Sequence, residues 1–178
     1  MIEMIKQECL NSKTTNPFEL LNKIMSFESV PMHGPIHHII DGACLLSCIH
    51  ASGVEFDLES ALDEMIERGK KMPGATCGHW GVCGSVTSLG AALSILHHTS
   101  PLSNDDYYKD HMKFTSMVLE KMSEIGGPRC CKRNAYLSML TAIEFLEKYD
   151  IHLDKEDVKC SFSSKNNQCI GNRCPFKR

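Results

Sequence analysis

Two long stretches of this chain carry almost no charged side chains, and they limit the possible folds more than any other feature. Residues 72–104 form 33 consecutive positions without Asp, Glu, Lys or Arg, and residues 29–54 contain only Asp41. Helices without a charged face are normally buried on several sides. We therefore expect helices near 35–51 and 82–98 to form the centre of a bundle, with the charged helices packed around them.

Capping residues and apolar periodicity predict the surrounding helices. Asn16, followed by a proline and by a glutamate three residues later, is typical of a helix start. Asp57 precedes apolar residues at helical spacing, Ser103 begins another capping box, and a last helix is expected over about 128–149. No alternating strand pattern of useful length is present. The sequence therefore predicts an all-α fold, a single bundle of about six helices.

Length and charge narrow the class of protein. The chain has 178 residues and a formal net charge of −3, so we expect one cysteine-rich helical domain over residues 1–178, with an irregular tail (151–178) packed on it. The near-neutral charge argues against nucleic-acid binders and membrane-surface binders, which need a basic field. The sequence lacks the apolar run of a signal peptide and the roughly 18 apolar residues of a membrane span, which predicts a cytoplasmic protein.

The cysteine content is the unusual part of the composition. The chain has 10 cysteines, too few for a disulfide scaffold and more than a packed core requires. Cytoplasmic thiols stay reduced, so metal binding and redox chemistry are their expected uses. Such a chain would suit an anaerobic organism, because many thiols are a liability in air.

The first group of cysteines lies in a glycine-rich loop over residues 73–84. Five residues separate Cys77 from Cys83, and the loop contains four glycines. Glycine lets backbone N–H groups wrap closely around a bound group, and the start of the following helix would stabilise thiolates. We interpret this loop as a cofactor- or metal-binding segment; the alternative is a turn with two buried thiols.

The second group is the pair Cys130 and Cys131, which follows two glycines and a proline at the start of a predicted helix. Arg129, Lys132 and Arg133 flank the pair and favour an electropositive pocket for a small anionic or thiol substrate. Neighbouring residues at a helix start point about 100° apart, so one thiol would bind a metal centre while the other faces substrate or core. The alternative is a basic helix start with two packing cysteines.

The third group consists of Cys160, Cys169 and Cys174 in the tail. This segment has little apolar material and should be disordered unless something ties it down. A metal centre would do so, and a cysteine followed by proline also closes ferredoxin motifs. Three thiolates are an incomplete site, so the fourth ligand would come from the Cys77–Cys83 loop or the Cys130–Cys131 pair, or the position would stay open for a substrate.

The cysteine spacings bear on the identity of the metal. Zinc sites usually show paired knuckles of two closely spaced cysteines, whereas iron–sulfur sites tolerate looser spacings and occupy glycine-rich loops. We expect an iron–sulfur cluster, most readily [4Fe–4S], with zinc as the alternative and metal-free thiols as a third possibility. The candidate ligands are Cys77, Cys83, Cys130, Cys131, Cys160, Cys169 and Cys174.

A histidine group stands at the start of the first charge-poor helix. His37 and Asp41 lie four residues apart, on one helix face, and His38 is the neighbour of His37. Asp41 could orient the His37 imidazole, and either histidine could move protons. The expected catalytic residues are therefore His37, His38, Asp41 and Arg129. The alternative is a core histidine bonded to a buried carboxylate.

Taken together, the motifs PGATCGHWGVCG, GGPRCCKR and C-x8-C-x4-CPF resemble a cysteine-rich domain-of-unknown-function family of anaerobic bacteria and methanogenic archaea. Its members are sometimes attached to radical-SAM or methyltransferase-like domains, so the resemblance implies an anaerobic setting. It covers about residues 31–176 and leaves Cys9, Cys44 and Cys48 outside its motifs. The positions it selects are His33, His37, His38, Cys77, Cys83, Cys130, Cys131, Cys160, Cys169 and Cys174.

Two functions follow as hypotheses. The first is an enzyme of sulfur or small-thiol chemistry that uses an iron–sulfur cluster with an open iron site. The second is a non-catalytic accessory module, stapled by zinc or an iron–sulfur cluster, that docks a radical-SAM or methyltransferase partner. Three protein thiolates with an open corner would indicate chemistry, whereas four would indicate a structural or electron-transfer role.

Overall fold

The prediction of an all-α fold is confirmed by the computed structural model, which describes residues 1–177. Its eight α-helices are α1 (Ile2–Asn11), α2 (Pro17–Met25), α3 (His37–Ala51), α4 (Leu58–Lys71), α5 (Thr76–His79), α6 (Gly84–Leu96), α7 (Asp106–Ile125) and α8 (Cys131–Leu146). Short 3-10 turns follow at Glu147–Tyr149, Ser163–Lys165 and Gly171–Arg173. The two helices beyond the expected six are α1 and the single turn α5. No helix of the described chain is both long and apolar enough to cross a membrane.

Helix α3 lies at the centre of the bundle, as its lack of charge predicts. Every residue from His37 to Ile49 is buried, and α3 contacts α1, α2, α4, α6 and α8. Its closest approach is to α6, where the Gly42 N–H donates to Ser88 Oγ at 2.9 Å. A Cβ on Gly42 would stand 2.7 Å from the Ser88 carbonyl oxygen, so only glycine allows the two charge-poor helices to pack this tightly.

Two predicted helix starts differ from those in the structure. Helix α7 is capped by Asp105, whose side chain accepts from the Tyr108 N–H, while the Ser103 hydroxyl instead accepts from the Ser100 N–H. Helix α8 begins at Cys131 rather than near residue 128, and Cys130 is its N-cap. The Cys130 thiol takes the capping position that an Asn, Asp or Ser usually occupies. The two adjacent cysteines therefore stand on either side of a helix boundary.

The tail has little regular structure, yet it packs firmly on the bundle. Phe162 and Phe176 are both buried, and the Phe176 ring meets the Tyr136 ring of α8 edge-on at 5.4 Å. An isolated parallel bridge joins Cys160 to Lys177 at the two ends of the cysteine segment. The expectation that this segment lacks apolar anchors is therefore wrong: few apolar residues are present, but those few are placed in the core.

Candidate functional site

Four of the predicted ligand cysteines surround one small cavity between the start of α8 and the tail. Cys130 comes from the α8 N-cap, and Cys160, Cys169 and Cys174 come from the tail. We call this space the thiol cavity; with the side chains as they stand it encloses about 10 Å³. Lys132, Arg133, Phe162, Ser163, Asn166, Ile170 and Lys177 complete its wall. The tail cysteines and one cysteine of the Cys130–Cys131 pair are thus brought together.

Nitrogen donors point at two of these sulfur atoms. The Arg133 backbone N–H and the Asn166 side-chain amide both lie 3.4 Å from Cys130 Sγ. The Phe162 backbone N–H lies 3.4 Å from Cys160 Sγ. Hydrogen bonds to the sulfurs tune the potential of iron–sulfur centres, and these donors would equally stabilise free thiolates. These donors would stabilise a thiolate ligand at either sulfur, whereas burial by itself raises the pKa of the free Cys160 thiol.

Two buried cations border the thiol cavity. Lys132 is 1% exposed, and its Nζ donates to the Met25 and Pro31 carbonyls at 3.2 and 3.4 Å. Arg133 is also buried and donates from one guanidinium nitrogen to the carbonyls of Gly126 and Pro128. Neither side chain forms an ion pair with an acid of residues 1–177.

This arrangement corrects the expectation that three cations form one substrate pocket. Burial lowers the pKa of Lys132 to about 8, although nearby acidic groups and thiols oppose the shift. The charged groups of Lys132 and Arg133 are directed at backbone carbonyls, because both side chains lie inside the fold. Of the three side chains, only Arg129 therefore presents its charge to solvent.

A second cavity, of about 310 Å³, is lined by three of the four predicted catalytic residues, His37, His38 and Arg129, but not by Asp41. We call it the His–Cys cavity; its wall contains Gly34, Pro35, His37, His38, Gly74, Ala75, Thr76, Cys77, Cys83, Gly84, Ser85, Arg129, Cys131 and Asn134. Cys131 faces this cavity, whereas its neighbour Cys130 faces the thiol cavity. The prediction that the two adjacent thiols point to different surroundings is thus confirmed.

His37 presents an unused lone pair in this region. Its Nε2 lies 3.1 Å from the Pro31 carbonyl oxygen, and a carbonyl only accepts, so Nε2 carries the proton. Burial, followed by the charge of Lys132, lowers the pKa of His37 to about 3, which keeps the ring neutral. Nδ1 is then a bare acceptor, and it has no partner among the described residues. His38 Nδ1 is likewise buried and unpartnered, and burial lowers the pKa of this ring as well.

Asp41 does not orient His37, contrary to the expectation from their spacing. Both carboxylate oxygens of Asp41 are buried without a hydrogen-bond partner within residues 1–177. Burial raises the pKa of Asp41 to about 7, against the smaller effects of Ser85 and Lys132. The Asp41 carboxyl is therefore buried on α3 without a hydrogen-bond partner among the described residues. Cys44 and Cys48 are also fully buried, which fits their position outside the family motifs.

A chain of hydrogen bonds joins the two cavities. The Cys131 N–H donates to His33 Nδ1 at 3.3 Å, so His33 carries its proton on Nε2. His33 Nε2 lies 3.1 Å from Asn166 Oδ1, which leaves the Asn166 amide nitrogen to donate to Cys130. Sequence reasoning missed Asn166 because an asparagine in a polar tail carries no distinctive signal. His33 was selected only by the family resemblance.

The Cys77–Cys83 loop does not reach the thiol cavity. Cys77 is exposed. Both cysteines line a wide outer groove of about 770 Å³, whose wall also includes Arg129, Met122 and Gly126. Cys77 and Cys83 both line the groove and the His–Cys cavity. The sequence predicts that the candidate ligand cysteines belong to one set of metal ligands. The fold instead separates them into two groups of thiols at two different cavities.

Comparisons with known proteins place the chain in a family. No curated protein and no solved structure matches it. Within residues 1–177, no three His, Cys, Asp or Glu side chains are arranged to hold a single metal ion. A family model matches residues 5–177, nearly the whole chain, which confirms the resemblance to a domain-of-unknown-function family. The chain belongs to this family, the family of unknown function DUF5714.

Proposed function

We propose that this protein holds a [4Fe–4S] cluster in the thiol cavity and uses it for electron transfer. The observation that carries the proposal is the meeting of Cys130 with the three tail cysteines around one enclosed space. Four thiolates on four irons form a complete ligand set. Such a centre has no open iron, so the hypothesis of substrate binding at the cluster gives way to that of an electron carrier.

As the side chains stand, the four thiols do not converge on the single point that a zinc ion needs. A zinc ion draws four sulfurs to about 2.3 Å from one point, and the described residues contain no such convergence of ligands. In a cubane each sulfur binds a different iron, so the thiols surround a space instead. The enclosed volume of about 10 Å³ is smaller than a cubane. Cluster binding would therefore turn the cysteine side chains outward, which the irregular tail permits.

The charge around the cavity also supports the proposal. An oxidised [4Fe–4S] centre with four thiolates carries a net charge of about −2. Lys132 and Arg133 are buried at the cavity wall without an acidic partner in residues 1–177. Buried charges are normally paired or coordinated, because leaving one alone costs several kcal/mol. The buried Asp41 already acts on Lys132 from beyond ion-pair distance, and a dianionic cluster would give Lys132 and Arg133 an anionic partner at the cavity wall.

The test is the metal and sulfide content of protein purified without oxygen. We expect about four irons and four sulfides per chain, with visible absorption that bleaches on reduction. Serine in place of Cys130, Cys160, Cys169 or Cys174 should remove most of the iron. Cys77→Ser is the control, because Cys77 lies in the outer groove, and it should keep its iron.

Three results would contradict this assignment. One equivalent of zinc without iron would indicate a structural zinc module. Iron that depends on Cys77 and not on Cys130 would place the centre in the other loop. A cluster that no reductant or oxidant changes would serve as a structural staple and not as an electron carrier.

A further inference from the structure

We propose that the His–Cys cavity is a separate thiol–disulfide exchange site, in which Cys83 attacks a small carboxylate-bearing disulfide and Cys131 resolves the product. The inference goes beyond the proposed iron–sulfur centre and depends on different residues. It rests on the unpartnered buried groups of the cavity, on the placement of two thiols, and on the charge at its entrance.

The cavity has the features of a built ligand site. Its volume of about 310 Å³ lies at the lower end of the range for small-molecule pockets. His37 and His38 are 1% and 7% exposed, and each has a buried Nδ1 without a partner in the described chain. Buried polar atoms in proteins are almost always hydrogen-bonded. Neither Nδ1 is accessible from the cavity as the side chains stand, so a bound molecule would reach the His37 nitrogen only after the ring turns.

Cys83 and Cys131 are held close to each other by Asn134. The Asn134 side-chain nitrogen lies 3.2 Å from Cys83 Sγ, and Asn134 follows Cys131 by three residues on α8. Residues three apart lie on the same helix face, so the Cys83 thiol stands over the first turn of α8, beside Cys131. Both thiols line the His–Cys cavity.

Cys83 is the better placed of the two for the first attack. It is the N-cap of α6, where the helix dipole and the first backbone N–H groups favour a thiolate. Burial raises the pKa of Cys83, while Asn134 and the backbone amides of Ser85 and Val86 act in the opposite direction. Cys83 also borders the outer groove, as does the exposed Cys77, whereas Cys131 does not.

The entrance selects an anion. The exposed Arg129 side chain lines both the His–Cys cavity and the outer groove. Among residues 1–177, no Asp or Glu borders either space. Guanidinium groups match carboxylates with paired hydrogen bonds. A disulfide bearing a carboxylate on each half would be held with its sulfur atoms toward Cys83.

The exchange runs in two balanced steps. The Cys83 thiolate attacks one substrate sulfur, forms a mixed disulfide, and releases the other half as a thiolate. Cys131 then loses its proton to the first released thiolate, and its sulfur attacks Cys83 Sγ, which forms the Cys83–Cys131 disulfide and releases the second half. Both thiol protons end on the two released thiolates. The dithiol loses two electrons, and the substrate disulfide gains them.

The test uses cystine and cystamine, which have the same sulfur spacing and differ in their carboxylates. Reduced protein carrying Cys77→Ser, which removes the exposed thiol, is mixed anaerobically with each probe and analysed by mass spectrometry. We expect a Cys83–Cys131 disulfide, with two cysteines released per chain. With Cys131→Ser added, a single cysteinyl adduct should accumulate on Cys83. Cystine should react at least about tenfold faster than cystamine, and Arg129→Gln should remove that preference.

Several outcomes would overturn the proposal. Adducts scattered over the tail cysteines, or an adduct on Cys131 alone, would contradict the roles of the two thiols. Equal rates with both probes would refute the carboxylate specificity. The Cys160→Ser variant separates this inference from the iron–sulfur centre, since it should lose iron and still complete one turnover with cystine. If it retains iron and reacts, only the cluster assignment fails.

Discussion

The Asn166 side chain donates a hydrogen bond to Cys130 Sγ across 3.4 Å and so joins the tail to the first turn of α8. Its carbonyl oxygen accepts from the Gln168 N–H at 2.9 Å and lies 3.1 Å from His33 Nε2. Because Asn166 is buried, these contacts fix the position of the amide. Asn166 is therefore a positioning residue of the proposed centre, although it is neither a thiol nor an acid.

Removing this donor should lower the reduction potential of the iron–sulfur centre. A hydrogen bond to a thiolate ligand stabilises the more negative, reduced form. With a net value of about 0.5–1.5 kcal/mol, Asn166→Ala should lower the potential by roughly 20–60 mV for a one-electron couple. Redox titration of anaerobic protein measures the change. Asn167→Ala, at the exposed neighbouring position, is the control, and an equal shift in both variants would contradict a specific role.

Replacing the buried Lys132 with an uncharged residue should lower the reduction potential of the iron–sulfur centre by more than the loss of the Asn166 hydrogen bond does. Lys132→Met keeps the apolar stem and removes the positive charge that faces the thiols. One charge within about 10 Å at an effective dielectric of about 20 changes the potential by roughly 50–100 mV. Lys159→Met, at an exposed tail position, should change it by much less. An unaltered potential in Lys132→Met would show that Lys132 does not compensate the cluster charge.

The buried Asp41 should make stability fall with rising pH. Its folded pKa of about 7 lies above the usual 3.8, so the folded state binds a proton that the unfolded state has released. The contribution of Asp41 to the free energy of unfolding should therefore fall between about pH 4 and pH 7, by about 4 kcal/mol in total. His37, whose pKa burial lowers to about 3, acts in the opposite direction over this range, so the Asp41 effect is measured as the difference between wild type and Asp41→Asn. Asp41→Asn should remove this decline and unfold at higher urea concentration at pH 8. Asp157→Asn, on the exposed tail, should retain it.

A methyl group on Gly84 should disrupt the His–Cys cavity. A Cβ at this position would stand 2.0 Å from His38 Nε2, so the buried ring would have to move. We expect Gly84→Ala to lower the free energy of unfolding by roughly 1–3 kcal/mol and to slow the reaction of Cys83 with cystine. Gly78→Ala has nothing within 4 Å of its added methyl and should behave as wild type. Full stability in Gly84→Ala would show that His38 is not fixed there.

Local sequence signals predicted much of the bundle. The missing charges around Asp41 and over residues 72–104 identified α3 and α6 as central, because a charged side chain is rarely buried without a partner. The caps Asn16 and Asp57 marked helix starts correctly, since a side-chain oxygen serves the nearest free N–H groups. The cap of α7 was misplaced by two residues, because several polar residues there compete for the same role.

The sequence by itself determined where the chemically reactive side chains stand along the chain: thiols at helix starts, histidines in a charge-poor helix, and three tail cysteines. Only the tertiary structure decided how they are grouped. It brings Cys130 to the tail and Cys131 to His37, and it separates Asp41 from the histidine that it was expected to orient. The physical reason is that grouping depends on side-chain direction at a helix boundary and on contacts between residues that lie dozens of positions apart in the chain. Spacing along the chain records neither of these.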